Sequence, residues 1–225
     1  MTATWLHAQA AILEAKKPGA HVVLVETYRT PAAALADEVV LLHPGTDAFL
    51  ALAMDKALRD EGRIDRDFLS RYALGTEEFL ASLDGYSLER AEAVTGVPRE
   101  QILSVARAFA AAKSPAILFG PGMSRHGNGA MAVRCVTTLA ALTGAFAKPW
   151  GGIVGNISSG AAYRGEKITR PDFRRGAVRA VNMNQLGTAL NELRDPPIMS
   201  LYVYSANPAC IAPHQRAVLQ GLARE

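Results

Sequence analysis

Residues 21–47 read HVVLVETYRTPAAALADEVVLLHPGTD, and the fold follows from this stretch. It holds two uninterrupted apolar runs, residues 22–25 and 39–42, made of valine and leucine and too short and continuous for an amphipathic helix. Such runs predict buried parallel strands. Each ends in polar, turn-forming residues: Glu26-Thr27-Tyr28-Arg29-Thr30-Pro31 after the first and His43-Pro44-Gly45-Thr46-Asp47 after the second. In an open α/β sheet, ligands bind beyond the carboxyl ends of the strands, so both clusters are expected on one rim. The second cluster opens a helix over residues 48–60, with Asp47 or Thr46 at its N-cap and Gly45 allowing close backbone approach. Free N–H groups at that helix start suit an anion or the polar edge of a base. The carboxylates of Glu26 and Asp47 suit the ring N–H and amine of a guanine, or a ribose hydroxyl. Taken singly, Asp47 also reads as a plain helix cap and Glu26 as a solvated strand end.

At 225 residues and 24.0 kDa the chain has room for one large or two small domains with real cores. With 49% hydrophobic and 20% charged residues it reads as globular rather than disordered. No apolar run reaches the roughly 18 residues of a membrane span, and the N-terminus lacks the basic region of a signal peptide. The net charge of +3 comes without a dense basic block. The most basic loop, residues 163–175, carries Arg164, Lys167, Arg170, Arg174 and Arg175 with only Tyr163 and Phe173 as aromatics, which argues against nucleic acid. Cys135 and Cys210 are isolated, with no CxxC, and read as buried thiols rather than metal ligands.

A helix over residues 5–17 precedes the first strand. Residues 65–112 form a helical block in which apolar positions recur at three- and four-residue spacing, as in Ile102, Val105, Ala106, Phe109 and Ala110; this block is scaffold. A third strand over residues 115–119 runs into Gly120-Pro121-Gly122-Met123-Ser124-Arg125-His126-Gly127-Asn128-Gly129 and then a helix over residues 130–142. A glycine-rich turn between strand and helix is the geometry that cradles phosphates, although any tight turn uses glycine. It falls on the same expected rim as Glu26 and Asp47, and three such loops make a site of dinucleotide size.

From Lys148 the pattern changes. Residues 148–175 are expected to be a long irregular crossover, which places a boundary between an α/β dinucleotide-binding domain, residues 1–148, and a partial second α/β domain, residues 149–225. In the latter a helix over residues 183–193, a strand over residues 198–204 and a helix over residues 215–223 are expected. Asn207-Pro208 forms the strand's polar exit, where Asn207 can both accept and donate and equally suits an Asx turn.

The ordered set of a strand, an acidic residue, Arg29-Thr30, Pro44-Gly45-Thr46-Asp47 heading an alanine- and leucine-rich helix, the 120–129 loop and Asn207-Pro208 resembles the molybdopterin-dinucleotide oxidoreductases of the dimethyl sulfoxide reductase family. The family usually has Asp-Pro-Arg where this chain has Glu26-Thr27-Tyr28-Arg29, whereas Pro-Gly-Thr-Asp matches without change. The resemblance implies a Rossmann-like parallel sheet flanked by helices, and a molybdopterin guanine dinucleotide cofactor with molybdenum or tungsten. It assigns Glu26, Arg29, Thr30 and Asp47 to one dinucleotide, with Gly45, Thr46, Gly120, Gly122 and Met123 admitting its phosphates. Arg125 would pair with a phosphate and His126 would donate a hydrogen bond, the alternative for His126 being an exposed turn residue. The Gly151-Gly152 segment lies close to the pterin in the family, and Asn207 with Pro208 addresses the second dinucleotide.

No residue here has the spacing of a metal ligand or general base, so no catalytic residue and no metal ligand is assigned. Family members are several times longer. They typically carry an N-terminal cysteine cluster for an iron–sulfur cluster, a metal ligand further on and a C-terminal β-rich domain. The expectation is therefore a central cofactor-binding fragment, inactive alone. The partners implied for the full-length enzyme are the pterin dinucleotide, a small-molecule redox substrate and an electron-transfer subunit. Both cytoplasm and twin-arginine export remain open for its compartment. The alternative is a non-redox nucleotide-binding module of the thiamine-diphosphate central-domain type.

Overall fold

The computed structural model describes residues 6–155 and 164–224, so residues 156–163 of the expected crossover, Tyr163 among them, lie outside the described residues. The chain divides into two compact units, Met1–Ser158 and Ser159–Glu225.

The first unit runs α1 (Leu6–Lys16), β1 (Val23–Glu26), β2 (Glu38–Leu41), α2 (Asp47–Asp60), α3 (Arg66–Tyr72), α4 (Thr76–Ser82), α5 (Leu88–Thr95), α6 (Arg99–Ala111), β3 (Ala116–Leu118), α7 (Gly129–Leu142) and β4 (Gly152–Val154). β1 and β2 are parallel, with Val23 opposite Glu38 and Glu26 opposite Leu41. β3 and β4 form a second parallel pair, Ala116 opposite Gly152 and Leu118 opposite Val154. The strands are thus parallel, as the apolar runs predict, but they lie in two separate pairs.

The expectation of burial on both faces is corrected by the exposure pattern. Val40 and Leu42 are buried whereas Val25 and Leu41 are 42% and 41% exposed. The exposure does not divide simply by face: Val25 is the register partner of Val40 and shares its side, so β1 is less covered than β2 at that position, while Leu41 lies on the side opposite Val40 and Leu42. β4 is a further correction, since residues 152–154 read as irregular. Three residues starting at a glycine are too few to show a period, and the strand exists through its ladder to β3. Gly152 N–H donates to the Pro115 carbonyl at 3.0 Å and Phe119 N–H to that of Val154 at 3.1 Å.

The helices form around two apolar clusters. In the first, Val40 and Leu42 meet Leu50, Met54 and Leu58 of α2, Val97, Ile102 and Ala106, with Val23 and Ile117 packed on its margin. That places both strand pairs against one core. The second joins Ala51 and Leu52 of α2 to Leu69, Leu80, Leu83, Cys135 and Leu142. α2 is shared by both because its apolar residues wrap around more than one face. Local signals set the helix starts. Asp65 Oδ1 accepts from the Phe68 N–H at 2.9 Å to cap α3, and Ser87 Oγ from the Arg90 N–H at 3.2 Å to cap α5.

The second unit contains α8 (Gly165–Thr169), α9 (Leu186–Glu192), α10 (Pro208–Ile211) and α11 (Gln215–Leu222). The α9 and α11 helices pack closely. A β-carbon on Gly187 would stand 2.8 Å from that of Ala217, and Asn191 Nδ2 donates to the Ala217 carbonyl at 2.7 Å. The expected strand over residues 198–204 is not formed. Met199, Tyr202 and Tyr204 stand exposed there. A strand exists only through a neighbour's ladder, and among the described residues of this unit none pairs with it. The short helix α8 likewise replaces part of the stretch expected to be irregular. Cys210, expected buried, is exposed, because it lies on the four-residue α10.

Candidate functional site

The site is built where β1 and β2 end. Because the pair is parallel, Glu26 and the 43–47 loop leave the sheet at the same edge, and the Leu42 N–H donates to the Glu26 carbonyl at 3.0 Å. His43 anchors the loop. Its N–H donates to the Thr95 carbonyl at 2.8 Å, and its Nδ1 lies 3.0 Å from the Val94 carbonyl oxygen as donor in that tautomer. The chain then reverses at Gly45, whose φ of +78° belongs to the left-handed region. Thr46 stands at the N-cap but does not cap, for its hydroxyl donates back to the His43 carbonyl at 2.7 Å. Asp47 is the first helical residue. The Phe49 and Leu50 N–H groups bond to the Thr46 carbonyl, which leaves those of Asp47 and Ala48 at the open end of a 14-residue helix.

The third loop reaches the same edge. A β-carbon on Gly45 would sit 3.8 Å from His126 Nδ1. Within the 120–129 loop the chain makes a 3-10 turn, Pro121–Arg125. Gly120 has a φ of −94°, and beside Gly120 and Gly122 a β-carbon would meet nothing within 4 Å. Their backbones face open space, so neither glycine is needed for the turn itself. The glycine the turn does require is Gly129, where a β-carbon would collide with the Ser124 backbone at 2.6 Å.

α2 and α7 descend from this edge side by side and parallel. They touch near their starts at Gly45 and His126, in their middles where Asp55 Oδ2 and Thr138 Oγ1 are 2.5 Å apart, and near their ends, where the Asp65 N–H donates to the Leu142 carbonyl at 2.7 Å. Beside them opens a cleft of about 950 Å³, with Gly45, Thr46 and Asn128 at its polar end and Phe49, Leu52, Leu69, Cys135 and Thr138 deeper in. Asp55 is wholly buried, and burial pushes its carboxyl up to about 8 even though the Thr138 contact opposes the shift. Burial also raises the Cys135 thiol, and Asp55 adds to the effect.

The structure brings together Glu26, Gly45, Thr46, Asp47 and the turn carrying Met123 and Arg125. Among the described residues the side chains of Glu26, Arg29, Asp47 and Arg125 make no hydrogen bond or ion pair, and Thr30 Oγ1 is buried without a partner. Gly152 stands apart from this edge. It pairs with Ala116 at the start of the β3/β4 ladder, at the opposite end from Gly120, and a β-carbon there would press on Phe146 at 3.1 Å. In the second unit, Asn207 precedes α10, its amide donates to Cys210 Sγ at 3.3 Å, and Pro208 begins the helix. Sequence reasoning missed Asp55, although the signal was present: position 55 lies on the apolar stripe of Ala51, Leu52 and Leu58. No helix among the described residues is long and apolar enough to cross a membrane.

Comparisons with known proteins identify the family. The molybdopterin oxidoreductase family model matches residues 3–219. The chain is 37% identical over 223 residues to the probable oxidoreductase YoaE of Bacillus subtilis (strain 168), covering 99% of this chain and 33% of that protein. It is 34% identical over 142 residues to formate dehydrogenase H of Escherichia coli (strain K12), covering 63% of this chain and 20% of that one. Acetylene hydratase from Pelobacter acetylenicus matches in structure with a TM-score of 0.61 and 27% identity, over 63% of this chain and 20% of the solved one. The chain thus spans about a third, or less, of the length of these relatives. A family match of this extent decides against the thiamine-diphosphate-type alternative. Its ordered loops, its parallel strands and its relatives place this chain in the molybdopterin oxidoreductase family.

Proposed function

We propose that this chain is a central cofactor-binding region of a molybdenum or tungsten enzyme with two molybdopterin guanine dinucleotides, and that its residues bind and orient the dinucleotide arms. The observation that carries the reading is the convergence of the Glu26 strand end, the Gly45-Thr46-Asp47 loop and the His126 turn on one edge, with the Glu26 and Asp47 carboxylates unspent. The residues fit the group. Two carboxylates, Glu26 and Asp47, would accept from guanine or ribose, and the free N–H groups of Asp47 and Ala48 would face a phosphate. Arg29 and Arg125 would supply positive charge and forked donors, and the orphaned Thr30 hydroxyl would gain a partner. The backbones of Gly120, Gly122 and Met123 leave open space for close approach. Asn207 with Pro208 would address the second dinucleotide, and Gly152 is assigned to the pterin side. The redox chemistry belongs to the metal and pterin, and the protein supplies orientation and electrostatics. An iron–sulfur cluster and an electron-transfer subunit would complete the full-length enzyme.

The test is an NMR titration of the chain with GMP and with AMP. We expect guanine-selective shifts at the amides of residues 43–48 and 126–129, saturating only well above micromolar concentrations, because ordering loops for a partial ligand returns little free energy. Asp47→Ala should abolish the shifts and Glu26→Ala weaken them. If GMP and AMP perturb these amides equally, or not at all, the assignment is lost.

A further inference from the structure

Thr138 holds a hydrogen-bonding arrangement that a single proton cannot satisfy on its own. Its Oγ1 lies 2.5 Å from Asp55 Oδ2 and 2.6 Å from the Cys135 carbonyl oxygen. A threonine hydroxyl has one hydrogen to donate. If Asp55 were a carboxylate, both neighbours would be acceptors only, and one short contact would set lone pair against lone pair. Both become hydrogen bonds only when Asp55 is protonated, so that its O–H donates to Thr138 Oγ1 and the Thr138 hydroxyl donates to the Cys135 carbonyl. The surroundings agree. Asp55 is wholly buried, and its Oδ1 has no partner, which a neutral carbonyl oxygen tolerates far better than half of a negative charge.

No cation is directed at this carboxyl among the described residues. On its own helix Lys56 and Arg59 reach Asp60, and Arg59 also reaches Asp84 in the turn beneath. On α6, Arg107 pairs with Glu61, and Arg99 with Glu100 and Glu89. Arg90 of α5 bonds to the Gly85 carbonyl and lies over Phe49, and Glu92 accepts from the Arg99 N–H. On α7, Cys135 is the nearest titratable neighbour, and Arg134 is exposed beside it.

We propose that Asp55, as a neutral acid bonded through Thr138 to the Cys135 carbonyl, is a positioning residue that registers α2 against α7 and so sets the spacing of the Gly45 and His126 loops. The geometry gives it that leverage, because the two parallel helices begin at those loops and this is the polar tie between their buried middles. Ionisation of Asp55 leaves Thr138 with one proton for two acceptors and puts an unpaired charge between the helices. The loop edge then loosens under alkaline conditions. The inference deepens the nucleotide-binding reading above and rests on it for the purpose of the spacing, but not for the device itself.

Hydrogen exchange of the 225-residue chain, followed by mass spectrometry and referenced to α11 of the other unit, separates the two. At about pH 4 the wild type and Asp55→Asn should protect residues 43–50 and 126–133 alike, because Asp55 keeps its proton and an asparagine amide can donate to Thr138 in the same way. As pH rises from about 4 to about 8 the wild-type segments should exchange progressively faster than those of Asp55→Asn, by up to about 10-fold per pH unit, and the ratio should level off above about pH 8. Thr138→Val should loosen both segments at either pH, and Thr138→Ser should restore them. Equal protection of wild type and Asp55→Asn at about pH 9 overturns the proposal. If Asp55→Asn does not fold, the wild type decides alone: a loop-to-α11 exchange ratio unchanged between about pH 4 and about pH 8 overturns it equally. GMP titration of the same samples addresses the parent reading, since failure to bind at any pH defeats nucleotide binding and leaves the exchange result on Asp55 standing.

Discussion

His126 Nδ1 lies 3.8 Å from the point a β-carbon would occupy on Gly45, so the turn after β2 and the turn before α7 meet at a residue with no side chain. Gly45 also has a φ of +78°. Gly45→Ala therefore has two costs: a left-handed backbone that L-residues adopt at about 1–2 kcal/mol, and a methyl group in ordinary contact with the imidazole. The second is small at this distance. We expect a loss of about 1–2 kcal/mol in urea denaturation, nearly all from the backbone. Gly45→Asn should lose less, since asparagine tolerates the left-handed region. Equal losses for the two variants would show that space beside His126, not φ, selects glycine.

The buried acid makes stability depend on pH in a direction opposite to that of paired carboxylates. Folding raises the Asp55 carboxyl from 3.8 to about 8. Between these values the unfolded chain has released a proton that the native chain keeps, so stability falls as pH rises. This contribution is whole below about pH 4 and lost by about pH 8, with a slope of at most about 1.4 kcal/mol per pH unit. Asp55→Asn has no such proton. Its stability relative to wild type should grow across that window and level off above about pH 8. Parallel urea midpoints for the two proteins from acid to alkaline pH would mean that Asp55 ionises in the native chain as freely as in water.

How far the sequence could be read follows from how local each signal is. The 22–25 and 39–42 runs announced parallel strands because valine and leucine blocks ended by turn residues are complete within a few positions, and β1 and β2 pair as expected. The rim followed from the parallel direction alone, which is why Glu26 and the 43–47 loop emerge together. The 198–204 run carried the same local signal and forms no strand, since a ladder requires a neighbour that no property of IMSLYVY supplies. β4 is the reverse case, a strand of three residues that only β3 defines. Gly120 and Gly122 drew attention as a glycine-rich turn, yet the glycine that packing demands is Gly129, because the pressure on it comes from the Ser124 backbone folding back. Asp55 was readable as an acid on an apolar stripe, but its partner Thr138 is 83 residues away, and only the pairing of α2 with α7 joins them.

The core makes a sharper distinction than composition does. Leu58 has no exposed surface and belongs to the cluster that holds both strand pairs, whereas Leu74 is fully exposed at 102%. Leu58→Ala removes a side chain whose neighbours on α2, α6 and the strands are fixed, and should cost about 2–5 kcal/mol. Leu74→Ala should stay within about 0.5 kcal/mol of wild type. Chemical denaturation at fixed pH measures both. A Leu74 loss comparable to that of Leu58 would mean that the cleft beside Leu74 is filled in solution.

The two cysteines should report the two units separately. Cys210 is exposed on α10, and the thiol of Cys135 is buried on α7 with its pKa raised, first by desolvation and then by the nearby Asp55. The reactive species is the thiolate, so burial slows Cys135 twice, by limiting access and by holding the proton. Ellman's reagent at about pH 8 should therefore modify one thiol per native chain quickly, and mass spectrometry should locate it at Cys210, with the second appearing only as the first unit opens. Cys210→Ser should leave a chain that reacts slowly in the native state and fully in urea. In that variant Thr138→Val ought to speed the Cys135 reaction, because the Thr138 hydroxyl bonds to the Cys135 carbonyl and links that turn to Asp55. Rapid labelling of Cys135 in an otherwise folded Cys210→Ser chain would mean that the cleft admits solvent down to α7 at that pH.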